Sequence, residues 1–265
     1  MEVSEAQITA WLSGLVLPFL RIGALLVAAP LFGARTVPVR VRIALAVLIA
    51  FLVAPVFPPP QPVALMSLSG LLAVASEILI GLALGFLVQM MFAAFAMAGE
   101  IVALSTGLAF ATIVDPDRGV SVPLVGQYYI IFSTLLFLAF DGHLALLDLA
   151  MHSFAPLPAG GALAMTASWW QLAAWGSDMY RGAVLVALPA ASALLLANVA
   201  MGLVARSAPQ LNIFAVGFPV TLLLGLVFLL LTLPALAPQL VSLLESALGR
   251  GGDLLLGATA AGPRP

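Results

Sequence analysis

Cysteine and lysine are both absent from this chain of 265 residues, and charge of either sign is scarce. Without cysteine there is no disulfide, no thiol catalysis and no cysteine-ligated zinc or iron–sulfur site. Only 8% of the residues are charged, against about 25% in a typical soluble domain. This scarcity excludes an ordinary soluble fold, and it also argues against nucleic-acid binding, which needs clustered positive charge.

Long runs without charge stand where the charged residues are missing. Segments 78–99, 182–205 and 207–244 contain no Asp, Glu, Lys or Arg over 22, 24 and 38 residues. About 20 apolar residues in a helix, each rising about 1.5 Å, cross the hydrocarbon core of a bilayer. We therefore predict an all-α membrane protein that crosses the bilayer several times.

The hydrophobic runs predict six main helices, with shorter elements between and after them. The segment 142–181 is mixed, and the Trp and Tyr residues of 168–180 suit either a membrane–water boundary or aromatic core packing. A short apolar helix is expected up to residue 248, and the Gly- and Ala-rich tail 249–265 is expected to be disordered. The six main helices are 7–29, 43–57, 71–99, 124–141, 182–205 and 211–233.

Arg35, Arg40 and Arg42 share one short loop, which the positive-inside rule places in the cytoplasm. Alternation then puts the N-terminus outside and Arg206 inside. Arg181 does not fit this scheme.

Ionisable residues inside apolar segments are costly in a bilayer and are therefore candidates for function. We expect Arg21 to form buried polar pairs with Glu77 or Glu100, and both acids to make structural contacts with neighbouring subunits. A proton or ion relay is the alternative, for which Asp141, His143 and Asp148 cluster in sequence.

No catalytic motif stands out in the sequence. There is no Gly-x-Ser-x-Gly elbow and no HExxH motif, and the phosphate loop GxxxxGK[ST] needs a lysine. The two histidines are not at a metal-ligand spacing. We predict no enzyme activity, no metal site and no cofactor.

Gly81 and Gly85 form a GxxxG step, which allows helices to approach closely in a membrane. The step predicts either packing within the chain or contact with a partner subunit.

The stretch 105–123 suits neither a lipid-facing helix nor a water-exposed loop. Its first half is apolar and uncharged, whereas Asp115-Pro116-Asp117-Arg118-Gly119 has the chemistry of a turn. Irregular backbone at membrane depth persists only where protein or a cavity surrounds it. We predict an irregular loop that lines or plugs a pore, the alternative being a connector packed on its own subunit.

At this loop the sequence resembles the FliR family of flagellar type III export-gate proteins. The resemblance covers roughly residues 5–245, and its most specific part is the block from Arg206 to Pro219. The matching segments are Phe19-Leu-Arg21 with Pro30-Leu-Phe32-Gly33, Gly107-Leu-Ala-Phe-Ala-Thr-Ile-Val-Asp-Pro116, Phe140-Asp-Gly-His143, Ser153-Phe154, and Gly202-Leu-Val-Ala-Arg206-Ser-Ala-Pro-Gln210.

The resemblance implies a subunit of a hetero-oligomeric helical ring with FliP-like and FliQ-like proteins in the bacterial inner membrane, within the flagellar basal body. Much of the assembly would stand on the periplasmic side, and unfolded protein cargo would pass through its centre. Residues 1–181 would form a FliP-like helical part and residues 182–248 a FliQ-like hairpin with a short C-terminal helix. The helices would be strongly kinked, as Pro189 and Pro219 also suggest.

The resemblance also implies roles for particular residues. The loop would plug the closed pore, and a FlhB-like protein would contact the hairpin tip. The implied plug residues are Gly107, Leu108, Phe110, Ile113, Val114, Asp115, Pro116 and Gly119, and the implied partner contacts are Arg206, Pro209, Gln210, Gly81 and Gly85.

Two rival functions remain open on the sequence alone. A virulence injectisome homologue would have the same architecture with different cargo. A small-solute transporter would carry interrupted helices in corresponding positions of two halves, and 105–123 has no clear second copy.

Overall fold

The computed structural model describes residues 5–57, 63–108, 112–114, 121–160, 168–207 and 213–260. Within these ranges the fold is helical apart from one pair of three-residue strands, which confirms the predicted all-α membrane class. The elements are α1 (Glu5–Ala28), α2 (Val39–Val53), α3 (Leu68–Thr106), β1 (Thr112–Val114), β2 (Ser121–Pro123), α4 (Leu124–Ala139), α5 (Gly142–His152), α6 (Ser168–Ser207) and α7 (Ile213–Ala260).

Four of the described helices are long and apolar enough to cross a membrane, namely α1, α3, α6 and α7. Helices α4 and α5 pass the same test only as a pair, and they are bent by 66° at the break between them. Asp141 lies at this break in the left-handed conformation, with φ of 54°. By contrast, α2 has 15 residues and a length of about 22 Å, which is short of a span.

Helix α7 corrects the expectations for the C-terminal region. The sequence predicted a helix ending near residue 233, a separate short helix and a disordered tail from residue 249, whereas α7 continues to Ala260. A Cβ at Gly251 would lie 2.6 Å from Leu149 Cδ2, and Leu254 and Leu255 are buried. This packing offsets the poor helix propensity of the glycines, and residues 261–265 lie outside the described ranges.

The chain packs as two compact units, each built from segments that are separate in sequence. One unit comprises residues 1–90, 141–176 and 244–265, and the other comprises residues 91–140 and 177–243. The consecutive parts 1–181 and 182–248 that the resemblance implied therefore differ from these units.

In the first unit, α1 supplies most of the fully buried aliphatic side chains, among them Leu17, Ile22 and Leu25. In the second unit, the latter part of α3 packs closely on α4. A Cβ at Gly99 would lie 2.6 Å from the Cα of Gly126, and the rings of Phe92 and Phe137 meet edge to face at 5.4 Å. Small residues thus bring α3 and α4 into backbone contact.

Candidate functional site

The segment between α3 and α4 departs from helical structure, as the sequence predicted. Gly107 follows the end of α3 with φ of 78°, a conformation that favours glycine. Strand β1 then pairs antiparallel with β2, and Ile113 is the partner of Val122. The chain therefore leaves an apolar helix, forms a short hairpin and enters the next apolar helix directly at Leu124.

The residues implied as a plug are distributed along this segment. Gly107 and Leu108 lie in the turn after α3, and Ile113 and Val114 lie in β1. Phe110, Asp115, Pro116 and Gly119 lie outside the described residues. We refer to residues 107–123 as the α3–α4 loop.

The base of the α3–α4 loop is fixed by hydrogen bonds at the end of α3. The Thr106 hydroxyl donates to the carbonyl of Ala103 at 3.0 Å and accepts the backbone N–H of Leu108 at 3.2 Å. The side-chain amide of Asn198, on α6, donates to the carbonyl of Ser105 at 3.3 Å. Both bonds satisfy carbonyl or amide groups that the helix end leaves without a helical partner.

Helix α7 packs against the same place. A Cβ at Gly225 would overlap Thr106 Cγ2 and would lie 2.9 Å from Thr106 Cβ. Thr106 itself is buried, with 1% exposure. The α3–α4 loop thus begins at a point clamped by α6 and α7 of the same unit, a contact that sequence reasoning did not predict.

The other candidate centre is a buried ion pair in the first unit. The Arg21 Nε donates to Glu77 Oε2 at 2.7 Å, and its Nη2 donates to Glu77 Oε1 at 3.1 Å. Arg21 is 0% and Glu77 1% exposed. Of the two acids proposed for Arg21, the structure selects Glu77.

The surroundings of the pair satisfy its remaining polar atoms. The Arg21 guanidinium also donates to Ser153 Oγ at 3.0 Å and to the Leu157 carbonyl at 2.8 Å, while the Gly160 N–H donates to Glu77 Oε1 at 3.0 Å. The ring of Phe154 lies 4.0 Å from the guanidinium carbon. The pair therefore ties α1 and α3 to the segment after α5, and the signal in the sequence for this was the Ser153-Phe154 motif.

Glu77 corrects one expectation, because its contacts lie within the chain rather than in a neighbouring subunit. Glu100 is exposed on α3 and is not paired with Arg21. Asp148 is exposed and lies 3.2 Å from exposed His152 as an ion pair within α5. Asp141 is exposed at the break between α4 and α5.

Gly81 and Gly85 also pack within the chain, so the partner contact predicted for them is replaced by the intramolecular alternative. A Cβ at Gly81 would overlap the Arg21 carbonyl oxygen, and one at Gly85 would lie 2.6 Å from Ala28 Cβ. Helix α1 therefore already occupies this face of α3.

The tryptophans of the mixed segment divide between the two alternatives. Trp175 is fully buried, as core packing requires, whereas Trp170 is 77% and Tyr180 58% exposed.

The predicted hairpin tip lies between α6 and α7. Arg206 is exposed in the last turn of α6, and Pro209 and Gln210 lie outside the described part of the chain. A Cβ at Gly182 would lie 2.8 Å from Leu243 Cδ2, so the start of α6 packs against a late part of α7. Among residues that the structure describes, no group of three or more His, Cys, Asp or Glu side chains could hold a metal ion.

Comparison with known proteins follows the same outline. The family model for bacterial export proteins, family 1, matches residues 12–247. The flagellar biosynthetic protein FliR of Escherichia coli is 40% identical over 238 residues, covering 90% of this chain and 91% of its own. FliR of Pectobacterium carotovorum is 40% identical over 245 residues, covering 92% and 94%. FliR of Bacillus subtilis is 33% identical over 218 residues, covering 81% and 84%.

Proposed function

Since the chain belongs to the FliR family of bacterial export proteins, we propose that it forms, with FliP-like and FliQ-like subunits, the channel for unfolded flagellar subunits. It is a membrane component of the flagellar export apparatus. The channel crosses the inner membrane, much of it stands on the periplasmic side, and the subunit performs no chemistry of its own. The relatives described above carry flagellar names, which favours the flagellar channel over the virulence injectisome.

The α3–α4 loop is the observation that carries the plug in this proposal. Its described backbone consists of a glycine turn and a strand pair placed between two apolar helices, and its first half carries no charge. Such a segment needs surrounding protein when it lies at membrane depth. In the closed channel the residues around Phe110, Ile113 and Val114 seal the lumen, and the clamped base at Thr106 holds the loop in place.

The outer face of the chain supports a partner-bound state. Leu195 and Leu196 on α6 and Leu230 and Leu231 on α7 are 63–71% exposed. Lipid and neighbouring subunits of the ring cover these side chains. Arg206 stands at the end of α6 and contacts a FlhB-like protein at the cytoplasmic entrance.

Copurification tests the proposal. The tagged full-length chain is extracted from its native membranes in mild detergent and its partners are identified and counted by mass spectrometry. A multi-subunit ring with FliP-like and FliQ-like proteins is the expected result. A stable monomer that catalyses solute uptake in vesicles would instead establish the small-solute transporter and reject the channel.

A further inference from the structure

An apolar groove runs along the surface of the first unit between α1, α2 and α3. Its volume is about 370 Å³, within the range of small-ligand sites. The floor is formed by small residues, Gly23, Ala24 and Ala46, and the rim by Val27 and Val39, which are 55% and 61% exposed.

Positive charge stands at one end of this groove. Arg42 is the charged residue among those that line it. Its Nε donates to the Phe32 carbonyl at 2.9 Å and its Nη2 to the Ala34 carbonyl at 3.2 Å. These bonds hold the guanidinium beside the turn that carries exposed Arg35, and exposed Arg40 lies in the first turn of α2.

No acidic residue balances this charge locally. The sequence contains no Asp or Glu from residue 6 to residue 76. The acid that follows, Glu77, is buried and committed to Arg21. An anion at the mouth of the groove therefore meets three arginines and no carboxylate of this segment.

We propose that the groove binds one acyl chain of an anionic phospholipid, whose phosphate lies against Arg42 with Arg35 and Arg40 around it. An all-apolar channel that ends in positive charge matches an acyl chain joined to an anionic headgroup. Basic sites between membrane helices bind anionic headgroups on the cytoplasmic side, the side on which the positive-inside rule places this loop. This inference concerns lipid recognition and does not rest on the proposed channel.

Gly23→Leu provides a variant that fills the groove. A Cβ at Gly23 would meet only Ala46 Cβ, at 4.0 Å, so a leucine enters open space without backbone overlap. Leucine is also the better helix former. Gly249→Leu makes the same chemical change on α7, where a Cβ has nothing within 4 Å, and serves as the matched control.

The test places the full-length chain, with whatever partners copurify, in nanodiscs of phosphatidylcholine containing phosphatidylglycerol. Bound lipid is counted by native mass spectrometry. We expect one retained phosphatidylglycerol per chain, its loss in Gly23→Leu, and its retention in Gly249→Leu. Arg35→Gln and Arg40→Gln should each weaken it about fivefold, as surface arginines do toward anionic lipid.

Three results would overturn the proposal. Equal retention of phosphatidylcholine would remove the headgroup contact, and unchanged retention in Gly23→Leu would remove the groove. Density of the nanodisc particle that shows a protein helix seated between α1 and α2 would replace the lipid with a subunit.

Discussion

Arg21 and Glu77 form a two-point ion pair, at 2.7 and 3.1 Å, between side chains that are 0% and 1% exposed. The geometry is that of a planar guanidinium facing a carboxylate, which is the strongest form of charge-assisted hydrogen bonding. Because Ser153, Leu157 and Gly160 occupy the remaining polar atoms, the pair has a complete set of partners. Its function in the chain is to join three segments within apolar surroundings.

Breaking this pair from one side should be severe. Arg21→Met leaves the Glu77 carboxylate buried without its cation, and we expect a loss of about 3–5 kcal/mol in stability. Arg21→Met with Glu77→Leu should recover much of the loss because no charge is left buried. Thermal unfolding of the purified complex in detergent measures both.

The exposed pair Asp148–His152 provides the control, since these side chains are 65% and 70% exposed. His152→Ala should cost less than about 1 kcal/mol. Equal losses from the buried and the exposed pair would contradict the structural importance given to Arg21.

Gly81→Ala tests the close approach of α1 and α3. The added Cβ would overlap the Arg21 carbonyl and lie 2.9 Å from Ala24 Cβ. We expect a destabilisation of about 1–3 kcal/mol, as for other overpacked sites. Gly249→Ala, with nothing within 4 Å of its Cβ, should instead stabilise by up to about 1 kcal/mol. The opposite signs are read from the midpoints of thermal unfolding, and a matching shift in both variants would contradict the packing.

Much of the fold was accessible from sequence because charge-free runs mark helices that water does not contact. The runs 78–99 and 182–205 lie wholly inside α3 and α6, and the non-helical character of 112–114 was anticipated. Two features were not accessible. Arg21 had two acids within reach by sequence, and only the packing of α1 on α3 selects Glu77. The glycines of 249–252 indicated disorder, and the contact with Leu149 keeps them helical.

The clamp at Thr106 predicts a coupling between two distant positions. Gly225→Ala should destabilise the complex by about 1–3 kcal/mol, because its Cβ overlaps Thr106 Cγ2. Thr106→Ser removes that methyl group and keeps the hydroxyl that accepts the Leu108 N–H. The double variant should therefore lose less than the sum of the single changes, and strict additivity in a double-mutant cycle would show that the two residues are not in contact.

Arg206→Glu tests the hairpin tip. Arg206 is exposed in the last turn of α6, so reversing its charge should reduce the FlhB-like protein that copurifies with the complex. Arg206→Lys keeps the charge and should retain the partner, and Arg181→Glu reverses another exposed arginine of α6 as a control. A normal yield of partner in Arg206→Glu would leave Arg206 as a topological anchor, which a reporter fused after Ser207 would then reveal by its change of side.

Deletion of residues 110–114 tests the plug. The deletion removes β1 and the apolar side chains that would seal the lumen, while α3, the Thr106 clamp and α4 remain. Truncation of residues 261–265 removes the same number of residues beyond the end of α7 and is the matched control. We expect both complexes to assemble, because the helices that bind partners are intact in each. In planar bilayers the loop deletion should conduct ions continuously and the truncation should remain closed, since only the first lacks the segment that excludes water. Assembly with unchanged conductance in the loop deletion would show that another part of the complex closes the pore.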